Sequence, residues 1–236
     1  DYSIKQTPDS GFIMAGSIYY TMGNAIHICL IKTNSAGDTL WTKQYGGPNL
    51  GYYKGVAYDV IITSDGGYAV AGTEIGSSNK NVFLLKTDNN GNVQWAKYYG
   101  GTSDDEGYSL KQTSDSGYII AGYTYSFGQG GWDVYLLKVG ATGSLQWTKT
   151  YGGNRYDFAN HIEITNDGGF ILTGETSGNG TGTIYDNDLF LMKTDSAGNS
   201  DWSYTYGGNS GEGGTSVKQT SDNGFIATGC TYSSGA

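Results

Sequence analysis

The sequence predicts an all-β fold made by repetition of one four-stranded unit, and three observations support this. The 236-residue chain contains 40 glycines, 21 tyrosines and only two prolines, which is typical of short strands joined by tight turns. Marker residues recur at fixed spacings, with a period of about 50 residues. Between the markers, short segments alternate polar and apolar positions or are continuously apolar, as strands do. We therefore expect one repetitive domain.

Two sets of markers fix the register of the repeats. A threonine precedes a glycine by nine residues five times, and a lysine precedes a tryptophan by nine residues four times. Each of these tryptophans lies four residues before a Tyr-Gly-Gly, whereas the other spacings vary, so length variation is confined to two connections per repeat. The markers are Thr7, Thr63, Thr113, Thr165 and Thr220, then Lys32, Lys86, Lys138 and Lys193, and then Trp41, Trp95, Trp147 and Trp202.

The third repeat shows the four predicted strands in order. Residues 109–113 alternate polar and apolar side chains and predict a half-buried first strand, and the Ser-Asp-Ser-Gly of residues 114–117 predicts a tight turn. Residues 118–124 form an apolar second strand whose small Ala-Gly pair permits close approach of a neighbouring sheet. An apolar third strand covers residues 134–138, and a fourth strand carries Trp147.

Four antiparallel strands in every repeat of about 50 residues are typical of the blades of a β-propeller. A parallel β-solenoid is the alternative, but its rungs are usually shorter and lack two tight hairpins. We predict complete blades at about 1–47, 54–101, 107–153 and 159–208, and a partial blade at 214–236. The chain begins and ends inside a repeat, so we expect a five-bladed ring, a segment of a longer array, or assembly with copies of itself through the open edge of the last blade.

The ten residues from Lys86 to Trp95 read Lys-Thr-Asp-x-x-Gly-x-x-x-Trp, which resembles the tryptophan-docking motif of pyrroloquinoline-quinone-type propellers. The whole repeat is similar to repeats of large secreted or surface proteins of bacteria and archaea, including kelch-like arrays. The resemblance implies the fold and, with the richness in Tyr, Gly, Asn, Ser and Thr, an extracellular or cell-surface location. It does not imply quinone chemistry, because the sequence has neither adjacent cysteines nor a matching set of calcium and cofactor ligands.

Charge and composition argue against several partners. The net charge is −9 with only 13 lysines and arginines, so no basic stripe exists to bind a nucleic-acid backbone. No apolar run approaches the roughly 20 residues of a membrane helix, and membrane insertion is not expected. Cys29 and Cys230 do not form a metal or redox spacing. They either bridge the first and last blades or are two buried free thiols, and we favour the thiols.

The two connections of variable length are predicted to share one face of the blades, and loops on a rigid scaffold are where binding residues concentrate. Aromatic rings stack on the C–H faces of sugars, so this face is a candidate glycan site; the alternative is that its tyrosines only pack on each other. Trp132, the one tryptophan outside the repeat position, is the best anchor. The candidate ligand-binding residues are Tyr19, Tyr20, Tyr52, Tyr53, Phe127, Trp132, Arg155, Tyr156, Tyr185 and Asp186.

The innermost strand departs from its own repeat. Where the other repeats have serine, the second has Asp59 and the fourth has His161, followed by Glu163. A catalytic interpretation would pair His161 with a carboxylate as an acid–base group at the channel. We favour a set of channel-lining polar groups bonded to each other.

Two acidic turns could offer oxygen ligands to calcium, Asp104-Asp105-Glu106 and Asp186-Asn187-Asp188. Neither matches a known calcium loop, so we favour solvated turns and predict no cofactor, with calcium as the alternative. The preferred function is a non-catalytic extracellular structural or adhesion module that assembles with itself. A carbohydrate-binding, lectin-like propeller is the first alternative, and a polysaccharide lyase or hydrolase with its site at the channel mouth is the second.

Overall fold

A computed structural model describes residues 3–20, 25–46, 54–76, 78–177 and 187–233. All regular elements in these residues are β-strands, and no helix within them could span a membrane. The chain divides into two compact units, Asp1–Tyr118 with Val139–Leu145, and Ile119–Lys138 with Gln146–Ala236.

The strands form four antiparallel sheets of four strands and one sheet of two strands, ordered β1-β2-β3-β4, β5-β6-β7-β8, β9-β10-β11-β12, β13-β14-β15-β16 and β17-β18. This confirms the prediction of a propeller with four complete blades and a partial one. The strands are β1 (Ser3–Gln6), β2 (Phe12–Tyr20), β3 (Ala25–Thr33), β4 (Thr39–Tyr45), β5 (Lys54–Ile62), β6 (Tyr68–Ile75), β7 (Lys80–Thr87), β8 (Val93–Tyr99), β9 (Asp105–Gln112), β10 (Tyr118–Thr124), β11 (Asp133–Val139), β12 (Leu145–Tyr151), β13 (Asp157–Ile164), β14 (Phe170–Thr176), β15 (Asp188–Thr194), β16 (Ser200–Tyr206), β17 (Glu212–Gln219) and β18 (Phe225–Thr231).

Three blades begin two residues earlier than the sequence predicts, at an acidic residue that binds the chain just before it. Asp105 Oδ2 accepts a hydrogen bond from the amide of Gly101 at 2.8 Å. Asp157 Oδ2 accepts one from the Gly153 amide at 3.0 Å, and Glu212 Oε2 accepts one from the Gly208 amide at 2.9 Å. We call this contact the amide cap. In these three blades it fixes the second glycine of the preceding Tyr-Gly-Gly against the first strand.

The turn between the first two strands of a blade is held by the side chain of one aspartate. In the second blade, Asp65 Oδ1 accepts hydrogen bonds from Thr63 Oγ1 at 2.5 Å and from the Gly67 amide at 3.0 Å. Gly66 between them has φ of +81°, in the left-handed region that glycine adopts without strain. The recurrent threonine marker is therefore part of a turn that bonds to its own backbone.

A buried lysine of the third strand reaches this turn in each of three blades. Lys86 is 4% exposed, and its Nζ lies 2.8 Å from Asp65 Oδ2 and 2.8 Å from the carbonyl oxygen of Thr87. The equivalent ion pairs are Lys32–Asp9 at 2.8 Å and Lys193–Asp167 at 2.9 Å. We call this arrangement the lysine clamp. It joins the third strand to the turn between the first and second strands of the same blade, which explains why the lysine marker recurs.

The fourth strand of each complete blade holds the blade that follows it. The ring of Trp95 packs edge-on against Tyr118, with 5.8 Å between the ring centroids. Tyr99 donates its hydroxyl proton to the carbonyl oxygen of Gly143 at 2.9 Å, in the turn between β11 and β12. The same contacts recur as Trp41–Tyr68, Trp147–Phe170 and Trp202–Phe225, and as Tyr45–Gly91 and Tyr151–Gly198.

The apolar core of each unit lies between neighbouring sheets. In the first unit it joins the first two blades, and in the second unit it joins the second to fourth strands of the third blade with the fourth blade. A smaller cluster joins the fourth blade to the partial blade. The central members are Ile13, Leu30, Val60 and Val70 in the first unit, Ile119, Leu136, Ile162 and Leu172 in the second, and Ile171, Leu191 and Val217 in the smaller cluster.

The clamp aspartates are more acidic than ordinary carboxyl groups. Burial of Asp65 opposes the shift, but hydrogen bonds from Lys86, Thr63 and the Gly67 amide outweigh it and lower the pKa of Asp65 from 3.8 to about 2. The hydrogen bond from the clamp lysine lowers the pKa of Asp9, and the Thr165 hydroxyl, followed by the clamp lysine, lowers that of Asp167.

Stability is expected to fall as the pH drops from about 4 to about 2. A carboxyl with a lower pKa in the folded state stabilises that state above its unfolded pKa, and the contribution is lost as the pH falls through the folded pKa. For Asp65 the ordinary pKa is 3.8 and the pKa in the folded protein is about 2. Urea unfolding at pH 6, 4, 3 and 2 measures the effect. An unfolding midpoint that is constant over this range would contradict a stabilising role for the clamps.

Candidate functional site

Trp132 lies at the end of the connection between β10 and β11, where its ring stacks on a buried tyrosine. Its centroid is 5.0 Å from that of Tyr123, with 29° between the ring planes, and 5.0 Å from that of Tyr156, at 53°. Tyr123 is buried, whereas 38% of Trp132 and 42% of Tyr156 are exposed. The tryptophan is thus seated on the sheet and keeps part of its surface open to a ligand.

Two further exposed rings belong to the same connection. Tyr125 is 52% exposed and Phe127 is 44% exposed, and the ring of Phe127 lies 5.7 Å from that of buried Tyr135. We call Trp132 and Tyr156, the two exposed rings that are in contact, the aromatic platform. Exposed aromatic rings concentrated in one short connection are typical of binding surfaces.

Glycines allow this connection to lie directly on the chain that leads into β13. Gly130 has φ of +92°, and a Cβ placed there would lie 2.5 Å from the Cα of Asn154. A Cβ at Gly131 would lie 2.2 Å from the carbonyl oxygen of Arg155. The carbonyl oxygen of Trp132 accepts a hydrogen bond from the backbone amide of residue 157 at 2.7 Å. The platform is therefore held by backbone contacts before any ligand binds.

Two buried carboxylates support the ends of the platform. Asp133 Oδ2 accepts a hydrogen bond from the Gln129 amide at 2.8 Å, and Asp157 accepts one from Thr176 Oγ1. Both carboxylates converge on Gly152, where a Cβ would lie 2.2 Å from Asp133 Oδ1 and 2.6 Å from Asp157 Oδ2. Burial raises the pKa of Asp133; the Gln129 amide opposes the shift and the charge of Asp157 adds to it.

A similar polar arrangement recurs in other blades, which identifies it as scaffold. Asn81 and Asp105 converge on Gly100, and Asp188 and Glu212 converge on Gly207. At Gly100, Gly152 and Gly207, one polar group from the start of a third strand and one from the amide cap of the next blade therefore lie against the same glycine. The sequence signal was available, since Asp105, Asp157 and Glu212 each follow the second glycine of a Tyr-Gly-Gly by four residues.

The structure brings together some of the predicted ligand-binding residues. Trp132 and Tyr156 are in contact, Phe127 lies on the same connection, and Arg155 is exposed beside Tyr156. The sequence interpretation missed Tyr123, which lies in an ordinary second strand, and Tyr125, which directly follows that strand. Four other candidates lie outside the described residues: Tyr52, Tyr53, Tyr185 and Asp186.

Tyr19 and Tyr20 end β2 in the first unit. Tyr19 is 65% exposed and Tyr20 is 39% exposed. Tyr20 donates its hydroxyl proton to Gln44 Oε1 at 2.6 Å, and its ring lies 5.1 Å from that of His27. Both tyrosines are exposed at the end of β2, and a role in ligand binding stays a prediction.

The polar groups of the innermost strands bind backbone amides of the following blade. Asp59 accepts hydrogen bonds from Ser3 Oγ at 2.7 Å and from the Leu110 amide at 3.0 Å. His161 Nδ1 accepts one from the Val217 amide at 3.3 Å. Leu110 and Val217 occupy equivalent positions, so the two side chains make the same contact in different blades. Glu163 is half-buried in β13. A catalytic role for these residues stays a prediction.

The first acidic turn directs its carboxylates toward separate protein donors. Asp104 Oδ1 accepts a hydrogen bond from the Lys80 amide at 3.0 Å, Asp105 forms the amide cap, and Glu106 pairs with Lys80 Nζ at 2.5 Å. The second turn includes Asp186, which lies outside the described residues. Within the described part of the chain, no three or more acidic, histidine or cysteine side chains gather to hold a metal ion.

Both cysteines are free thiols, and one differs from the sequence prediction. Cys29 is buried, but Cys230 is exposed. The prediction of two buried thiols is wrong for Cys230 because β18 belongs to the two-stranded partial blade. The equivalent residue of a complete blade, Tyr123, is buried beside a third strand.

No protein-family model matches the sequence, and no curated protein matches it. Among solved structures, the chain is similar to a eukaryotic initiation factor at 12% identity and a TM-score of 0.40, over 86% of this chain and 54% of that one. It is also similar to an α-L-arabinofuranosidase from Clostridium thermocellum, at 14% identity and a TM-score of 0.48, over 87% and 72% of the two chains. A Parabacteroides distasonis protein assigned as a glycoside hydrolase has 10% identity and a TM-score of 0.43, over 86% and 71%. The chain thus spans about half of the initiation-factor chain.

Proposed function

We propose that this protein is a non-catalytic, extracellular carbohydrate-binding propeller of the secreted repeat type, and that it binds glycan on the aromatic platform. The observation that carries the proposal is the seating of Trp132 on buried Tyr123, with exposed Tyr156 beside it. A pyranose ring presents an apolar C–H face and a rim of hydroxyls. An exposed aromatic ring supplies the matching apolar surface without requiring a deep pocket.

Preorganisation favours binding on this surface. The connection that carries Trp132 is held against residues 154 and 155 by close backbone contacts at Gly130 and Gly131. A ligand that binds there does not have to order the loop, so less of its interaction free energy is lost. Exposed Asn154 and Arg155 border Tyr156 and supply amide and guanidinium donors for sugar hydroxyls.

Binding is a better proposal than cleavage for this site. A hydrolase or lyase needs an acid–base pair that faces the substrate. The carboxylates below the platform, Asp133 and Asp157, accept hydrogen bonds from the protein and are 2% and 4% exposed. Equivalent polar pairs at Gly100 and Gly207 indicate that this position serves the scaffold.

Replacement of Trp132 by alanine is expected to weaken glycan binding by at least about thirtyfold, because truncation of a central aromatic anchor costs 2 kcal/mol or more. A glycan array identifies the ligand, and isothermal titration with the best oligosaccharide measures the change. Tyr204→Ala is the matched control, since Tyr204 is 58% exposed on β16 and lies outside the platform. Equal affinities of the wild-type and Trp132→Ala proteins, or no glycan bound by the wild-type protein, would contradict the proposal.

A further inference from the structure

The chain that follows a Tyr-Gly-Gly lies on the start of the preceding third strand, and we call this place a junction. At one junction, the carbonyl oxygen of Trp132 accepts a hydrogen bond from the backbone amide of Asp157 at 2.7 Å. At the next junction, the carbonyl oxygen of Asn187 accepts one from the Glu212 amide at 2.6 Å. The two junctions share a backbone plan, so their side chains can be compared position by position.

The junction at the aromatic platform differs from two others in its side chains. The position two residues before the amide cap is serine in two of the three capped junctions, Ser103 and Ser210, and is Arg155 at the platform. The position one residue before the cap is aspartate or glycine in those two junctions and Tyr156 at the platform. The amide cap thus forms without an arginine or an aromatic ring before it, and the scaffold requires neither.

Trp132 departs from the repeat at the same junction. Six residues before the lysine marker, the second and fourth blades have Lys80 and Asn187 instead of tryptophan. The Lys80 amide donates a hydrogen bond to Asp104 Oδ1 at 3.0 Å, whereas the equivalent pair at the platform is two rings with centroids 5.0 Å apart. Three departures from the repeat therefore coincide at one exposed place, which packing of the scaffold does not explain.

The charge beside the platform is opposite in sign to that of the whole protein. Arg155 is the only arginine in the sequence, whose net charge is −9. It is exposed, and within the described part of the chain no carboxylate forms an ion pair with it. Residues 125–132 carry no charge, and the neighbouring carboxylates, Asp133 and Asp157, are buried and accept hydrogen bonds from backbone amides. The platform therefore presents an exposed cation to a ligand.

We propose that the glycan bound on the aromatic platform contains a uronic acid, and that Arg155 binds its carboxylate. The inference rests on the proposed function of the platform. A planar guanidinium offers two parallel N–H groups that match the two oxygens of a carboxylate. The carboxylate projects from the edge of the pyranose ring, so a ring stacked on Tyr156 presents it to the adjacent side chain. The negative net charge opposes this contact only weakly, because salt screens charges beyond about 8 Å at physiological ionic strength.

The probes are tetrasaccharides of galacturonic, glucuronic, mannuronic or guluronic acid, each compared with its methyl ester, which keeps the sugar ring and removes the charge. Titration calorimetry should show that at least one acid binds at least about tenfold more tightly than its ester, because hydrogen bonds to charged groups are the stronger ones. Arg155→Ser introduces the residue of the equivalent junctions, so the fold should persist. It should lower the affinity for the acid about tenfold and leave that for the ester unchanged. Arg155→Lys should retain only part of the preference, since an ammonium lacks the bidentate geometry.

Two further variants make the outcome decisive. Lys218→Ser removes one positive charge from an exposed position of β17 outside the platform and should change neither affinity. Trp132→Ala should weaken the binding of acid and ester alike. If glycans bind through Trp132 with equal affinity for acid and ester, or if Arg155→Ser keeps the preference for the acid, this inference is overturned and the platform remains a glycan site. A sulfated glycan bound in preference to every uronic acid would also overturn it. If no glycan binds, both proposals fail.

Discussion

Replacement of Asp65 by asparagine is expected to lower the free energy of unfolding by about 1 to 2 kcal/mol, because it removes a charged acceptor from buried Lys86 at a position where the carboxylate itself is half exposed and screened by solvent. The Lys86 side chain is 5% exposed and that of Asp65 is 52% exposed. Loss of the carboxylate leaves the Lys86 ammonium buried with the Thr87 carbonyl as its remaining bonded acceptor. Urea unfolding at pH 7 measures the change.

The double variant tests the cause of this loss. Lys86→Met keeps the length of the side chain and removes the charge, so Asp65→Asn with Lys86→Met should be more stable than Asp65→Asn alone. A further loss of stability in the double variant would mean that the two residues act through packing rather than through the ion pair. Equal stability of Asp65→Asn and the wild-type protein would refute the clamp as a stabilising contact.

Gly67→Ala is expected to lower the free energy of unfolding by about 3 kcal/mol, at the upper end of the range for overpacking. A Cβ at Gly67 would lie 2.2 Å from the Thr87 carbonyl oxygen and 2.6 Å from Lys86 Nζ. The oxygen belongs to the backbone of the neighbouring strand, so it cannot move without disturbing the pairing of β6 with β7. Thermal and urea unfolding of the variant provide the measurement.

The adjacent glycine is a matched control. Gly66 has φ of +81°, but a Cβ there would have no neighbour within 4 Å. Ser10 and Ser116 occupy the equivalent turn position with φ of 65° and 62°. Gly66→Ser is therefore expected to cost no more than about 1 kcal/mol. If Gly67→Ala costs no more than Gly66→Ser, the collision with the neighbouring strand is refuted.

The repeat could be predicted because its spacings are set by contacts within and between blades. The threonine and lysine markers recur since Thr63 and Lys86 bind the same carboxylate, and equivalent groups do so in other blades. The tryptophan marker recurs because Trp95 must meet the tyrosine and the turn glycine of the next blade. Each contact requires a fixed number of residues between the markers that make it. Such a fixed spacing can be recognised in a single sequence.

The stacking of the candidate site could not be predicted in this way. Trp132 was identified as an anchor because it departs from the repeat, but its supporting ring, Tyr123, lies in a regular strand. The connection that carries Trp132 also contains left-handed Gly130, which packs on the backbone at Asn154, and single-sequence spacing does not reveal such a contact. The acidic residue Asp105 was interpreted as part of a calcium or solvated turn, although its offset from Tyr-Gly-Gly recurs in later blades as an amide cap.

The most direct test of the central claim is a crystal structure of the protein with the oligosaccharide that binds best on the array. We expect one sugar ring to lie parallel to the exposed part of Trp132, at about 4 Å, with its hydroxyls bonded to the groups beside Tyr156. A sugar bound at another surface, with Trp132 uncovered, would contradict the account and remove the aromatic platform as the functional site.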